Sequence, residues 1–263
     1  MNKAKLNYAW YKLACVAGHK LSSWYGILAK YVRAPRERMH FVMIPMEEKI
    51  EQPSQKFVPM DIVDAFIDKA GALAVMKECM CRVGGNCKDY PHDIACLGMG
   101  SSLKDMDPSF GRIVDKQEAK AHVKKALGEG LYPLISHYER DAMMLSLDFD
   151  KLMLVCFCCP CHCVARRSGK LSDGLDNSFH SNAQKLPSVQ ILFDEDKCNA
   201  CGKCVDECFA NAITLEGDLI TLDQDKCKGC GRCAMICDAF SVTYDIKNID
   251  KMIDELGFCA DIS

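Results

Sequence analysis

The sequence predicts an α+β chain in two parts: a cysteine-rich N-terminal domain of mixed helix and strand, then a small C-terminal module built on an internal repeat. Three observations carry that reading. Cysteine is the outlier, with 19 among 263 residues. The segment Asp194-Glu195-Asp196-Lys197-Cys198 returns 29 residues later as Asp223-Gln224-Asp225-Lys226-Cys227. Charge is split unevenly: residues 188–263 hold 15 acids and 7 bases, which leaves 21 acids and 26 bases before them. A basic body joined to an acidic module places a boundary near Leu186–Ser188 and divides the chain into 1–36, 37–187 and 188–263.

Hydrophobic residues at 49% and charged residues at 26% are ordinary globular composition, so disorder is not the dominant state. A net charge of −3 speaks against a nucleic-acid partner. Disulfide scaffolds are short, secreted and even in cysteine count; this chain is long and its count is odd. Lys3, Lys5, Lys12 and Lys20 interrupt the region where a secretory leader needs an apolar run. No stretch of 18 apolar residues is present to span a membrane. Metal-bound thiolates in a reducing cytoplasm are therefore expected.

Taken in order, residues 1–36 contain no acid, seven Lys or Arg, and both tryptophans. Leu6, Trp10, Leu13, Ala17, Leu21, Trp24, Leu28 and Tyr31 recur at helical spacing, with Gly18 and Gly26 as breaks. Such a segment lies on an anionic membrane surface or an acidic partner, or packs on its own chain. Prolines at 35, 45, 53 and 59 make 37–58 irregular or edge-like. A helix is predicted over Asp61–Glu78, delivering the chain to Cys79. Arg82 to Ser102 is a loop rich in Gly and Cys. Asp115-Lys116-Gln117-Glu118 is a capping box opening a helix that runs to about Leu127 and stops at Gly128 and Gly130. Leu131–Tyr138 and Lys151–Phe157 are predicted strands, and 168–187 is loop. In the repeat, β-prone runs Ala212–Leu215 and Ser241–Tyr244 follow each cysteine run, a βαβ-like unit used twice with pseudo-twofold symmetry. A short helix closes the chain.

Each repeat carries the same run: Cys198-x-x-Cys201-x-x-Cys204-x-x-x-Cys208, then Cys227-x-x-Cys230-x-x-Cys233-x-x-x-Cys237. Thiolates are soft donors suited to iron–sulfur cubanes. Two-residue gaps let a tight loop wrap one cluster with its amides aimed at the sulfides. Gly202 and Gly231 stand where a Cβ is expected to crowd the cluster. Structural zinc instead asks for two separate Cys-x-x-Cys knuckles. The two runs resemble a bacterial-type ferredoxin domain with two [4Fe-4S] clusters, over about 188–245. In that family the fourth cysteine of each run binds the other cluster. The resemblance thus implies Cys198, Cys201, Cys204 and Cys237 on one cluster, and Cys227, Cys230, Cys233 and Cys208 on the other. The proline that often follows the fourth cysteine is replaced by Phe209 and Asp238. Asp238 is expected to make its cluster harder to reduce.

Eleven cysteines lie outside these runs. Cys15 and Cys259 are solitary and read as small buried hydrophobes. Cys79, Cys81, Cys87 and Cys96 form a four-thiolate set for a third cluster, with Arg82 and Lys88 to offset its charge; a zinc site or plain thiols are the alternatives. Cys156, Cys158, Cys159, Cys161 and Cys163 are denser than one cluster needs. By strand alternation Cys159, Cys161 and Cys163 share one face and Cys156 and Cys158 the other, with Pro160 disfavouring helix. Arg166 and Arg167 favour thiolates or bind an anionic substrate, and His162 is a candidate proton donor. Cys159, Cys161, His162 and Cys163 are accordingly the candidate catalytic residues, with Cys156 and Cys158 as further metal ligands. The Cys-Pro-Cys and Cys-His-Cys pieces resemble the ferredoxin:thioredoxin reductase catalytic subunit. In that family a [4Fe-4S] cluster beside a redox-active disulfide passes electrons to a thiol substrate. The N-terminal arrangement is also similar to uncharacterised iron–sulfur proteins of anaerobes. Tyr90-Pro91-His92-Asp93 offers either proton donors or structural hydrogen bonds. No phosphate-cradling glycine motif supports a nucleotide or flavin site.

Three functions follow. An iron–sulfur oxidoreductase takes electrons at the acidic module and reduces a substrate at the N-terminal centre. A non-catalytic electron-transfer subunit docks a redox partner protein or a membrane complex through 1–36. A sensor holds zinc in place of iron.

Overall fold

In the computed structural model the described residues are 5–6, 9–10, 12–13, 39–44, 59–163, 183–186, 189–239, 241–246 and 260–263. Cys15, Cys259, Arg166, Arg167, most of 1–36 and the predicted C-terminal helix fall outside them.

Short apolar strands dominate the N-terminal domain. They are β1 (Met39–Met43), β2 (Leu73–Met76), β3 (Leu97–Met99), β4 (Gly111–Ile113), β5 (Tyr132–Tyr138), β6 (Met153–Cys158) and β7 (Ala183–Lys185). They form one sheet in the order β4-β2-β3-β6-β5-β1-β7. All neighbours are antiparallel except β1 and β7, which run parallel. The inner strands β2, β3 and β6 read as apolar runs without polar alternation because both sheet faces are covered there.

On one face lie α1 (Pro59–Lys69) and α3 (Lys116–Gly128). Ile62, Val63, Phe66 and Ile67 of α1 and Ala119, Val123 and Ala126 of α3 pack on Val75, Ile135, Val155 and Phe157. The other face buries Leu103, Phe110, Leu152 and Leu154 with Ala142 and Leu145 of α4 (Glu139–Leu145). The helix expected over Asp61–Glu78 ends at Lys69. Gly71 follows, its N–H donating to the Ile262 carbonyl at 2.7 Å, and Leu73–Met76 enter the sheet centre as β2. Leu73 and Met76 stand at helical spacing from Ile62 and Phe66, the stripe behind that expectation, only by coincidence. The irregular stretch expected at 37–58 contains β1, which lies between β5 and β7. Asp115 caps α3 as predicted, accepting from Glu118 N–H at 2.8 Å. The Glu118 carboxylate bonds Arg112 instead of completing the box.

The C-terminal module contains β8 (Val189–Phe193), α5 (Lys203–Glu207), β9 (Ile213–Glu216), β10 (Leu219–Leu222), α6 (Arg232–Ile236) and β11 (Val242–Ile246). β8 pairs antiparallel with β11, and β9 with β10. Its core joins Ile191, Ile213, Ile220 and Val242 to the cysteines. The last residues return to the N-terminal domain, where Ala260 and Ile262 pack at the edge of the α1/α3 core.

Phe209, Cys230 and Met235 of the module share an apolar cluster with Phe41, Met43, Tyr132, Leu134, Cys156, Cys158 and Cys163. The module therefore sits against the β1/β5/β6 end of the large sheet, on the face opposite α1 and α3. Among the described residues, no helix is long and apolar enough to cross a membrane.

Candidate metal and redox centre

The two C-terminal runs adopt one backbone pattern. Ala200 and Gly202 have φ of 53° and 73°, and Gly229 and Gly231 have 67° and 69°. Left-handed residues set between ordinary ones curl the chain into a concave loop whose N–H groups face inward, a shape that suits anionic groups. A Cβ at Gly202 would meet nothing nearer than Leu215 Cδ2 at 3.6 Å. Backbone conformation, rather than crowding by protein atoms, is what calls for glycine there. α5 and α6 follow these loops. Cys208 and Cys237 end them in matching extended conformations, φ −74° and ψ 100° against φ −75° and ψ 106°.

Backbone amides point at sulfur. Ala212 N–H donates to Cys208 Sγ at 3.3 Å and Gly229 N–H to Cys227 Sγ at 3.4 Å. Burial pushes the Cys233 thiol up, with Cys230, Cys227 and Cys208 as further negative neighbours. Burial also raises Cys204, which faces Cys198 and Cys201. Cys208 of the first run thus stands among the first three cysteines of the second. Two ion pairs cross between the runs, Lys203–Asp238 at 2.6 Å and Arg232–Glu207 at 3.1 Å. The first offsets the charge of Asp238 that was expected to burden its cluster. Eight thiols with inward amides are a donor set that fits iron–sulfur clusters.

In the N-terminal domain, thiols distant in sequence converge. Cys96 and Cys156 stand 3.3 Å apart, Cys158 and Cys163 3.2 Å, and Cys87 and Cys161 3.6 Å. No described cysteine forms a disulfide. Strand parity places Cys156 and Cys158 together on the face that meets the C-terminal module, while Cys159 turns into the opposite core. Of the three cysteines expected to share a face, Cys159 and Cys161 do come together, and Cys163 does not join them. The chain reverses at 160–162, and the turn returns Cys163 to Cys158. The set Cys79, Cys81, Cys87 and Cys96 also divides, Cys87 going to Cys161 and Cys96 to Cys156. The His162 N–H donates to Cys159 Sγ at 3.2 Å.

Arg82 is the centre of this arrangement and is 0% exposed. α2 (Met80–Gly84) delivers it inward. One guanidinium nitrogen donates to the Phe157 carbonyl at 2.8 Å and another to the Ile94 carbonyl, while Nε has no partner among the described residues. Burial opposes its charge, but Cys79, Cys159, Cys96 and Cys158 surround it and hold its pKa above the usual value. A hydrogen bond from Cys81 lowers Cys79 to about 6, and Arg82 adds to the effect. A buried guanidinium bonded only to neutral carbonyls needs anions beside it. Thiolates would supply them, and Cys79, Cys81, Cys96, Cys156, Cys158 and Cys163 are the thiols that could hold a further centre. Lys88 is exposed at the surface.

Sequence reasoning missed Asp141. It follows β5 in an unremarkable Glu-Arg-Asp triplet, and only the fold brings it near Cys156. Burial raises its carboxyl to about 6, against a hydrogen bond from Ser136 Oγ at 2.9 Å. The Tyr90–Asp93 residues diverge. Tyr90 faces Cys161, Cys159 and Arg232, His92 Nε2 donates to the Cys87 carbonyl at 2.8 Å, and Asp93 pairs with Lys125 at 3.7 Å. Of 1–36, Leu6, Trp10 and Leu13 are exposed, and Lys12 pairs with Glu78 at 2.7 Å.

The sequence model of the 4Fe-4S binding domain family matches residues 191–214 and 220–239, spanning both C-terminal runs. Neither a curated protein nor a solved structure matches the chain. The C-terminal module is therefore a ferredoxin-type domain for [4Fe-4S] binding, and it implies iron–sulfur electron transfer.

Proposed function

We propose that the chain is an iron–sulfur oxidoreductase in which the C-terminal module holds two [4Fe-4S] clusters and serves a redox centre in the N-terminal domain, where a substrate is reduced. The observation that carries this is the shared apolar cluster: Cys230 of the second run packs with Cys156, Cys158 and Cys163 of the N-terminal domain. Two thiol-rich centres that meet through an apolar contact are suited to exchange electrons.

Cys198, Cys201, Cys204 and Cys237 would hold one cluster, and Cys227, Cys230, Cys233 and Cys208 the other. When bound, the clusters supply one-electron storage. The protein's own contribution is electrostatic and steric. Amides bond the Cys208 and Cys227 sulfurs, the Lys203–Asp238 and Arg232–Glu207 pairs tie the runs together, and Phe209 and Met235 exclude water at the contact. In the N-terminal domain Arg82 stabilises thiolates, and Asp141, its carboxyl raised to about 6, stands where it can exchange a proton near Cys156. A cleft of about 560 Å³, lined in part by Lys77, Asp93, Arg112, His122 and Lys125, opens beside this domain's cysteine loop.

Anaerobic titration of the full chain with reduced methyl viologen tests the proposal. The two module clusters take up about two electrons. The native chain should accept more, and Cys158→Ser with Cys163→Ser should return it to that value. Uptake of only two electrons by the native chain contradicts an N-terminal redox centre. A second reading, an electron-transfer subunit without chemistry of its own, is favoured by the exposed Leu6, Trp10 and Leu13 near the N-terminus. It predicts full uptake together with a copurifying partner enzyme.

A further inference from the structure

Cys87, Cys159, Cys161 and His162 form a group apart from the thiols around Cys158. Each contributes one donor atom, and the four atoms lie within 4.8 Å of one another. Among the described residues it is the one group of three or more His, Cys, Asp or Glu donors drawn that close. The C-terminal cysteines, spaced for cubanes, form no such group. Chain distance makes this convergence specific. Cys87 comes from the loop after α2, held by its N–H to the Arg82 carbonyl at 2.9 Å and by the bond from His92 to its own carbonyl. The other three come from the turn after β6.

We infer that these four residues bind a single tetrahedral divalent ion, zinc by its donor set, and not an iron–sulfur cubane. An ion with Zn–S bonds of about 2.3 Å sets its sulfur ligands about 3.8 Å apart. Cys87 and Cys161 stand at 3.6 Å. A histidine nitrogen among the donors, and four donor atoms all within 4.8 Å, set this group apart from the all-thiol pairs around Cys158. Three cysteines and one histidine are a common complement for tetrahedral zinc. The 3.2 Å amide bond from His162 to Cys159 Sγ is the support a metal-bound thiolate receives from its own loop. Binding releases three thiol protons and leaves the site with one net negative charge. Arg82 faces Cys159 to offset it. Cys87 and Cys159 are 3% and 1% exposed, while Cys161 and His162 are half-buried and leave the ion a way in. The ion would pin the loop after α2 to the end of β6. In this role Cys159, Cys161 and His162 hold structure, and the redox thiols are those around Cys158.

The test uses the full chain purified anaerobically from medium holding both iron and zinc, with metal counts and X-ray absorption at the zinc and iron edges. The expected result is about one zinc per chain with three sulfur neighbours and one nitrogen. Cys87→Ser and Cys161→Ser should lose the zinc with iron unchanged, which also shows that the chain still folds. Cys81→Ser should keep it. His162→Cys should keep zinc but replace the nitrogen neighbour with sulfur. Zinc-free protein whose Cys161→Ser variant loses iron overturns the inference. So does zinc retained in both serine variants, or a nitrogen signal unchanged in His162→Cys.

Discussion

At the residue scale, Arg82 is the side chain on which the proposed N-terminal centre depends. A planar guanidinium reaches the carbonyls of Ile94 and Phe157 together and still presents charge to four cysteines. A lysine carries the charge without the fork. Arg82→Lys should therefore fold with N-terminal metal reduced several-fold. Arg82→Met, which leaves thiolates without a counter-charge, should lose about 3 kcal/mol or more of stability. Metal analysis and thermal melts of the two variants check this. His137 sets a pH limit. It is buried, donates from Nε2 to the Phe149 carbonyl at 3.0 Å and stacks on that ring at 3.9 Å. Burial lowers its pKa from the ordinary 6.5. Above pH 6.5 the imidazole is neutral folded or unfolded. As pH falls below 6.5 the unfolded form takes a proton that the folded form resists, so stability declines. His122, lowered by burial as well, acts in the same direction. The melting temperature should drop between pH 7 and 5, and His137→Gln should flatten that drop. An unchanged slope in the variant would assign the effect elsewhere.

At the element scale, the paired left-handed turns make a sharper forecast. Ala200 occupies a conformation that costs an L-residue about 1 kcal/mol, while Gly229 fills the equivalent place without strain. Ala200→Gly should stabilise by up to about 1 kcal/mol and Gly229→Ala should destabilise by about as much, measured by chemical denaturation under anaerobic conditions. Opposite signs would mean that the loops are not equivalent. This part was legible in the sequence because ligand spacing fixes the local backbone: the repeat, its glycines and the β-prone runs after Cys208 and Cys237 all appear where expected. The capped helix α3 and strands β5 and β6 were legible for the same reason, since a capping aspartate, closing glycines and apolar runs are local signals. β2 was not. Leu73-Ala74-Val75-Met76 is too short for periodicity to separate strand from helix, and its place at the centre of the sheet is decided by partners 97–99 and 111–113. The split of the N-terminal cysteines was also hidden. Strand parity correctly separates Cys158 from Cys159, but the reversal at 160–162 that sends Cys163 back is a turn that alternation does not describe.

At the scale of the whole molecule, the chain joins a sheet domain rich in thiols to a ferredoxin-type module through an apolar contact. That contact lies among Phe209, Cys230 and Met235 on one side and Tyr132, Leu134, Cys158 and Cys163 on the other. The C-terminal tail strengthens the union, with Gly71 bonded to Ile262 and the Asp261 N–H to the Asp150 carbonyl at 2.9 Å. None of this is visible in composition, because a boundary in charge near 186–188 says where domains divide and not how they meet. The measurement closest to the central claim is iron and acid-labile sulfide per chain in anaerobically purified protein, native and with Cys96→Ser and Cys156→Ser combined. A ferredoxin-type pair of clusters accounts for about eight irons. The account predicts about twelve in the native chain, falling to about eight in the double variant with the module's spectroscopic signals intact. About eight irons in both would leave the N-terminal thiols without a cluster and contradict it.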